Sequence, residues 1–264
     1  MTHPYRIAVC HHKGGVAKTT TVSSLGACFA ERGLRTLLID LDPAANLTTG
    51  LGISPAEAAR SAADILLGNE RLGNIILETA LPGLDIVPSN SDMITASRFL
   101  NLRPGYESLL ANSFAQNGIA PYNFVLLDCP PSVGAVTITA LNAADMALIP
   151  TQPEYYSLQA LDGIFGAIKA ARMKGNPGLR YRLLVTMYDR RGSLHTRVLE
   201  SMQERLRGAL LETMIGFDSK LRESQMYGVP ITLHAPGTRA AHQYRLLAEE
   251  MNAYVEANKN PEPA

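Results

Sequence analysis

Short β-rich apolar runs alternate with segments whose apolar residues recur at helical spacing along nearly the whole chain. Tyr5 to Cys10 (YRIAVC), Thr36 to Asp40 (TLLID), Leu84 to Val87, Phe124 to Asp128 (FVLLD), Met146 to Pro150 (MALIP) and Arg182 to Met187 (RLLVTM) predict strands. Lys18 to Arg32, Leu158 to Lys174, Leu194 to Leu210 and Arg239 to Ala257 predict helices. Apolar strands separated by helices imply an α/β fold with a mostly parallel sheet and helices on both faces. No internal repeat or composition break divides the 264 residues, so one domain is expected over 1–264. Ligands of such sheets bind beyond the carboxyl ends of the strands.

At the end of the first strand stands HHKGGVAKTTT, residues 11 to 21. The general phosphate-binding loop, G-x-x-x-x-G-K-[ST], cradles phosphates on backbone N–H groups, reaches them with its lysine and binds Mg²⁺ through its hydroxyl. Lys18 and Thr19 occupy the matching positions, whereas His12 and Ala17 replace the two glycines. Strand, loop and helix is nevertheless the context that the motif requires, and a helix starting near Lys18 aims its free N–H groups at an anion. If position 17 takes a positive φ, alanine there costs on the order of 1 kcal/mol relative to glycine. Two later strands close on carboxylates, Asp40 with Asp42 and Asp128, as strands do that deliver a carboxylate to a magnesium shell. Singly these aspartates read equally as turn formers or caps. Together with Lys18 and Thr19 they read as one site.

Charge adds a second theme. The chain is neutral overall, yet residues 1–166 carry a balance of −5 and residues 167–250 one of +6, which points either to an anionic partner or to solvated helix faces. No apolar run approaches the ~18 residues of a membrane span, and the first ten residues lack a signal-peptide stretch, so a cytoplasmic protein with no membrane partner is expected. Cys10, Cys28 and Cys129 are too few and scattered for a disulfide framework or zinc site and are read as structural.

The motifs resemble those of the ParA/MinD group of P-loop ATPases, in particular its short, Soj-like ParA branch. The deviant loop pattern K-G-G-x-x-K-T-T is Lys13 to Thr20, switch I (D-x-D-P-x-x-N) is Asp40 to Asn46, and switch II (D-C-P-P-S) is Asp128 to Ser132. PTQPEYYSLQAL, TMYDRRGSL and YGVPI have counterparts too, so the likeness runs from about residue 5 to residue 252, with a short C-terminal tail beyond. The resemblance implies a single-domain P-loop fold, ATP and Mg²⁺ as cofactors, and an ATP-dependent homodimer in which two protomers sandwich two nucleotides. Lys13 matches the lysine that reaches the partner's nucleotide. Gly14, Gly15, Val16, Ala17, Lys18, Thr19 and Thr20 would hold the phosphates, with Thr19 and Asp128 at the metal and Asp40 assisting there. Asp42 matches the carboxylate that positions the attacking water, so Lys13, Lys18 and Asp42 are the expected catalytic set. Arg191 and Lys220 match positions where similar proteins contact DNA, and Arg222 and Arg245 join them from the local positive balance. A ParB-like adaptor, non-specific double-stranded DNA and a nucleoid-associated location complete what the likeness implies.

Three rivals differ in chemistry. A MinD-like membrane-cycling ATPase needs a basic amphipathic C-terminal helix, whereas this chain ends AYVEANKNPEPA. A nitrogenase-reductase type bridges an iron–sulfur cluster through cysteines, but D-C-P-P occurs in partition ATPases as well. A nucleotide-binding scaffold without turnover has no use for Asp42. Within the family the cargo stays open: chromosome, plasmid, chemoreceptor cluster or carboxysome.

Overall fold

The computed structural model describes residues 3–68, 70–154, 157–189, 191, 193–206 and 208–259. Tyr155 and Tyr156 of the PTQPEYYSLQAL segment, Arg190 and Gly192 of TMYDRRGSL, and the expected tail at 260–264 lie outside the described residues.

The chain runs β1 (Tyr5–Val9), α1 (Lys18–Glu31), β2 (Thr36–Asp40), α2 (Asn46–Thr49), α3 (Ala62–Leu67), β3 (Leu77–Glu78), β4 (Leu84–Val87), α4 (Asp92–Phe99), α5 (Leu109–Ser113), β5 (Phe124–Asp128), α6 (Ala135–Ala143), β6 (Met146–Thr151), α7 (Ser157–Lys174), β7 (Arg180–Val185), α8 (Ser193–Leu206), α9 (Ser219–Met226), α10 (Ile231–His234) and α11 (Arg239–Lys259). Seven strands form one sheet in the order β3-β4-β2-β5-β1-β6-β7, parallel throughout except for the short edge strand β3.

Because successive side chains of a strand face opposite ways, the apolar strands feed two cores. Ile7, Val9, Leu38, Phe124, Leu126 and Leu148 join Phe29 of α1 and Tyr244 of α11 on one face. Ala8, Leu37, Ile39, Val125, Leu127 and Ile149 meet helices α3 to α7 on the other. Phe29 stacks on Phe124 with ring centres 4.0 Å apart, fixing α1 over the middle of the sheet. Register then assembles the site: Val9 pairs with Asp128, and Asp40 pairs with the same Asp128, so three strands end level.

Two boundaries depart from the periodic pattern. β7 begins at Arg180, two residues before the apolar run, because Arg180 N–H donates to the Asp145 carbonyl and extends the ladder through charged residues. It ends at Val185, and Met187 turns into the left-handed region at φ 54°. Helix α8 stops at Leu206 rather than Leu210, because residues 209 to 211 leave helical pairing for the open edge of β7. There Leu183 N–H donates to Ala209 at 2.8 Å, and Leu211 N–H donates to Leu183 at 2.9 Å.

Candidate active site

The loop between β1 and α1 is shaped by its carbonyls being held from behind. Gln152 Nε2 donates to Gly15 O at 3.0 Å and Thr186 Oγ1 to Val16 O at 3.1 Å, tying the loop to the ends of β6 and β7. Gly15 takes φ +75°, and a Cβ on Gly14 or Gly15 would meet open space, so the loop borders an unfilled hollow. Ala17 does adopt the left-handed conformation, φ 69° and ψ 33°, as the residue that caps α1. Among the described residues the other non-glycine positive φ values belong to Ala45 and Met187. Ala17 and Met187 line one cleft and Ala45 sits between two residues that line it, as backbone strain commonly collects at functional sites.

That cleft has a volume of about 750 Å³ and is lined by Gly14, Gly15, Ala17, Lys18, Thr19 and Thr20, together with Asp42. Val16 is buried and is not among the residues lining the cleft. Lys18 is buried at the first turn of α1, and its ammonium donates to the Lys13 carbonyl at 3.3 Å. Lys13 stands at the rim with its ammonium 2.5 Å from Glu154. Asp42 accepts the Ala44 amide at 2.9 Å, which holds the switch I turn.

The two buried carboxylates differ sharply. Asp40 accepts from the Thr48 amide at 2.9 Å, the Thr48 hydroxyl at 2.7 Å and the Asp42 amide at 3.1 Å. Both oxygens of Asp128 are buried without a hydrogen-bond partner among the described residues. Burial first, then the neighbouring Asp40, push the Asp128 pKa well above the usual carboxylate range, while Thr19 and Lys18 pull it back. Asp40 is also raised, chiefly by burial, against the pull of Thr48. An orphaned buried carboxylate beside a threonine hydroxyl at a helix start has the oxygen chemistry that hydrated Mg²⁺ takes. No cluster of three or more His, Cys, Asp or Glu forms a metal cage among the described residues.

Several lining residues carry no motif. Met187, Ile215, Gly216, Phe217 and Asp218 form the wall facing the loop, and Leu221, Gln225 and Met226 of α9 close the mouth. Gln225 Nε2 donates to the Thr20 hydroxyl at 2.8 Å across 205 residues of sequence, so α9 touches the loop directly. Arg222, expected at a DNA-facing surface, is among the residues lining this cleft, with its guanidinium 5.5 Å from the Phe217 ring centre. Arg245 is engaged by Glu31 at 3.0 Å and the Pro236 carbonyl at 2.9 Å. Arg191 and Lys220 are exposed and pair locally with Asp189 and Glu223.

A parallel sheet, a glycine loop capping a helix, an invading lysine and a buried carboxylate on the adjacent strand define a P-loop nucleotide-binding protein. An AAA domain family model matches residues 5–181. The chain is 36% identical over 256 residues to the sporulation initiation inhibitor protein Soj of Bacillus subtilis, covering 94% of this chain and 98% of that one. It is 34% identical over 259 residues to the chromosome partitioning protein ParA of Caulobacter vibrioides, covering 94% of each. Among solved structures, cobyrinic acid a,c-diamide synthase from Mycobacterium smegmatis, with bound ATP analog and magnesium, superposes with a TM-score of 0.84 at 30% identity over 97% of both chains. The chain belongs to the ParA/Soj branch of the ParA/MinD P-loop ATPases. No helix among the described residues is long and apolar enough to cross a membrane.

Proposed function

We propose that the chain is a partition or positioning ATPase whose ATP-bound dimer holds non-specific DNA and whose slow, adaptor-stimulated hydrolysis releases it. The observation that carries this reading is the division of labour between the two loop lysines. Lys18 is buried at the helix start inside its own cleft, whereas Lys13 stands at the rim, 2.5 Å from an exposed glutamate, free to exchange that partner for another anion.

Gly14, Gly15, Val16, Ala17, Thr20 and the first turn of α1 offer backbone N–H groups and the Thr20 hydroxyl to the phosphates, and Lys18 adds its charge. Thr19 and Asp128 are the residues that would hold Mg²⁺, Asp128 through a metal-bound water. Magnesium bound there supplies neutralisation of charge on the phosphate oxygens. With its lone pairs given to Thr48 and Asp42, Asp40 acts by shaping the switch I turn rather than as a ligand. Asp42 orients the attacking water, and Lys13 stabilises charge on the partner's nucleotide. Alignment of switch I then depends on a bound adaptor, which makes the unstimulated reaction slow. Arg191 and Lys220 present the exposed charge for DNA phosphates, with Arg222 and Arg245 as lesser contributors, and pairing two protomers doubles the contacts. A nucleoid-associated, cytoplasmic protein with a ParB-like adaptor follows, and the cargo is a chromosome, a plasmid or another assembly.

Sedimentation with ATP, with duplex DNA added to the same samples, tests the reading. Lys13→Ala is expected to retain ATP binding and lose both the dimer and DNA retention, while Lys18→Ala loses nucleotide altogether. A Lys13→Ala protein that still dimerises with ATP would refute the sandwich.

A further inference from the structure

At the amino-terminal end of β7, on the outer edge of the sheet, Arg172, Arg180, Arg182 and Arg205 converge with Tyr181 and Tyr254 on a cavity of about 360 Å³. β1, β6 and β7 run parallel, so this end lies opposite the one that carries the phosphate loop. Two guanidiniums are fixed by the fold. Arg172 Nε donates to the Leu179 carbonyl at 2.7 Å and lies 5.5 Å from the Tyr181 ring centre. Arg182 Nη1 donates to the Tyr181 carbonyl at 3.0 Å and lies 4.5 Å from the ring centre of Tyr254. Arg180 reaches the Asn258 side chain, and Arg205 projects from the last turn of α8.

What marks this group is that its charges meet one another rather than carboxylates. Eight other lysines and arginines, Arg6 and Arg245 among them, pair with carboxylates. None of these four does so among the described residues, and no acidic side chain lines the cavity. Helix dipoles account for Arg172 and Arg205, which sit in last turns where cations are favoured. They leave Arg180 and Arg182, on a strand, unexplained. Four like charges brought together without a counter-charge repel, and an anion between them relieves that repulsion.

We propose that this cavity binds a small polyanion carrying two or more phosphate groups. A guanidinium fork matches phosphate oxygens bidentately, and each of the four retains most of its five N–H donors after the bonds above. The volume is at the low end of small-ligand sites, which suits a polyphosphate or nucleotide rather than an extended duplex.

Calorimetric titration of tripolyphosphate into the full chain, in excess ADP and magnesium so that the nucleotide cleft is filled, tests the assignment. One site per chain is expected, at least tenfold weaker in Arg180→Gln/Arg205→Gln and weakened to an intermediate degree in Arg180→Lys/Arg205→Lys, which keeps the charge but loses the bidentate fork. ADP affinity measured on each variant should equal wild type, which establishes that the fold is intact. Absence of binding in the ADP-saturated wild type, stoichiometry that falls as ADP rises, or equal binding in the glutamine variant would each overturn the proposal. A parallel titration with a short duplex separates the sources. Loss of duplex binding in the glutamine variant with tripolyphosphate binding retained would assign the patch to nucleic acid and overturn it as well.

Discussion

Ala17→Gly is expected to stabilise the protein. Ala17 caps α1 at φ 69° and ψ 33° with no side-chain hydrogen bond of its own, and its carbonyl accepts the Thr21 amide at 2.9 Å. For a residue with a Cβ, the left-handed region costs about 1–2 kcal/mol, because the Cβ crowds the following carbonyl. Glycine removes that cost but leaves a more flexible unfolded chain, which returns about 0.4–1 kcal/mol. The net gain is about 0.5–1 kcal/mol. The Thr21 bond is backbone to backbone and survives the substitution. Urea unfolding should therefore show a higher midpoint with an unchanged slope. The same loop geometry serves the free and liganded cleft on this reading, so ADP affinity should move by less than about threefold, under 0.7 kcal/mol. A lower midpoint would refute the strain, and a large change in ADP affinity would show that the strain is spent on binding instead.

Asp42→Ala should keep the ATP-dependent dimer and slow hydrolysis by about 10²- to 10⁴-fold in a single-turnover assay, and unchanged hydrolysis would remove Asp42 from the chemistry. Thr48→Val deletes the 2.7 Å bond to buried Asp40 and leaves the Ser89 amide, 2.9 Å from the same hydroxyl, without its acceptor. It should cost about 2–4 kcal/mol in denaturant melts, and a loss below 1 kcal/mol would mean that the turn re-forms its bonds. His11 is buried, with Nδ1 accepting the Lys13 amide, and burial, then His12, Lys18 and Lys13, hold its pKa down at about 4. A base whose folded pKa lies below its unfolded value leaves the unfolded chain with more protons, so stability present above about pH 6.5 falls as pH drops toward 4. The loss expected over that range is about 1–2 kcal/mol. His11→Asn should flatten the dependence of the unfolding midpoint between pH 7.5 and 5, and parallel profiles would clear His11 of the effect.

The layers and the chemistry of the loop are legible in local patterns along the chain. Apolar runs of the type TLLID and FVLLD bury both faces, which only a helix-covered parallel sheet allows, and their terminal aspartates then fall on the ligand-binding edge. Lys13, Lys18 and Thr19 were legible because spacing along a loop is local. So was the conditional cost of Ala17, which turns on one φ angle. Contacts between distant segments are legible only once the chain is folded. Gln225 meets Thr20 and Gln152 meets Gly15 only because α9 and the end of β6 fold against the loop, and no periodicity marks either glutamine. Asp40 and Asp128 look alike as strand-end carboxylates, yet three well-formed bonds from Thr48 and Asp42 hold the first, whereas the second has only the Thr19 hydroxyl nearby and no bond of normal geometry, and that difference separates a turn-shaping residue from an orphaned one. The positive balance of residues 167–250 was visible as a count, but folding distributed it: Arg222 into the nucleotide cleft, Arg245 onto Glu31, and Arg172, Arg180, Arg182 and Arg205 around a cavity at the far end of the sheet. A charge sum carries no direction, and only the crossing of strands and helices assigns one.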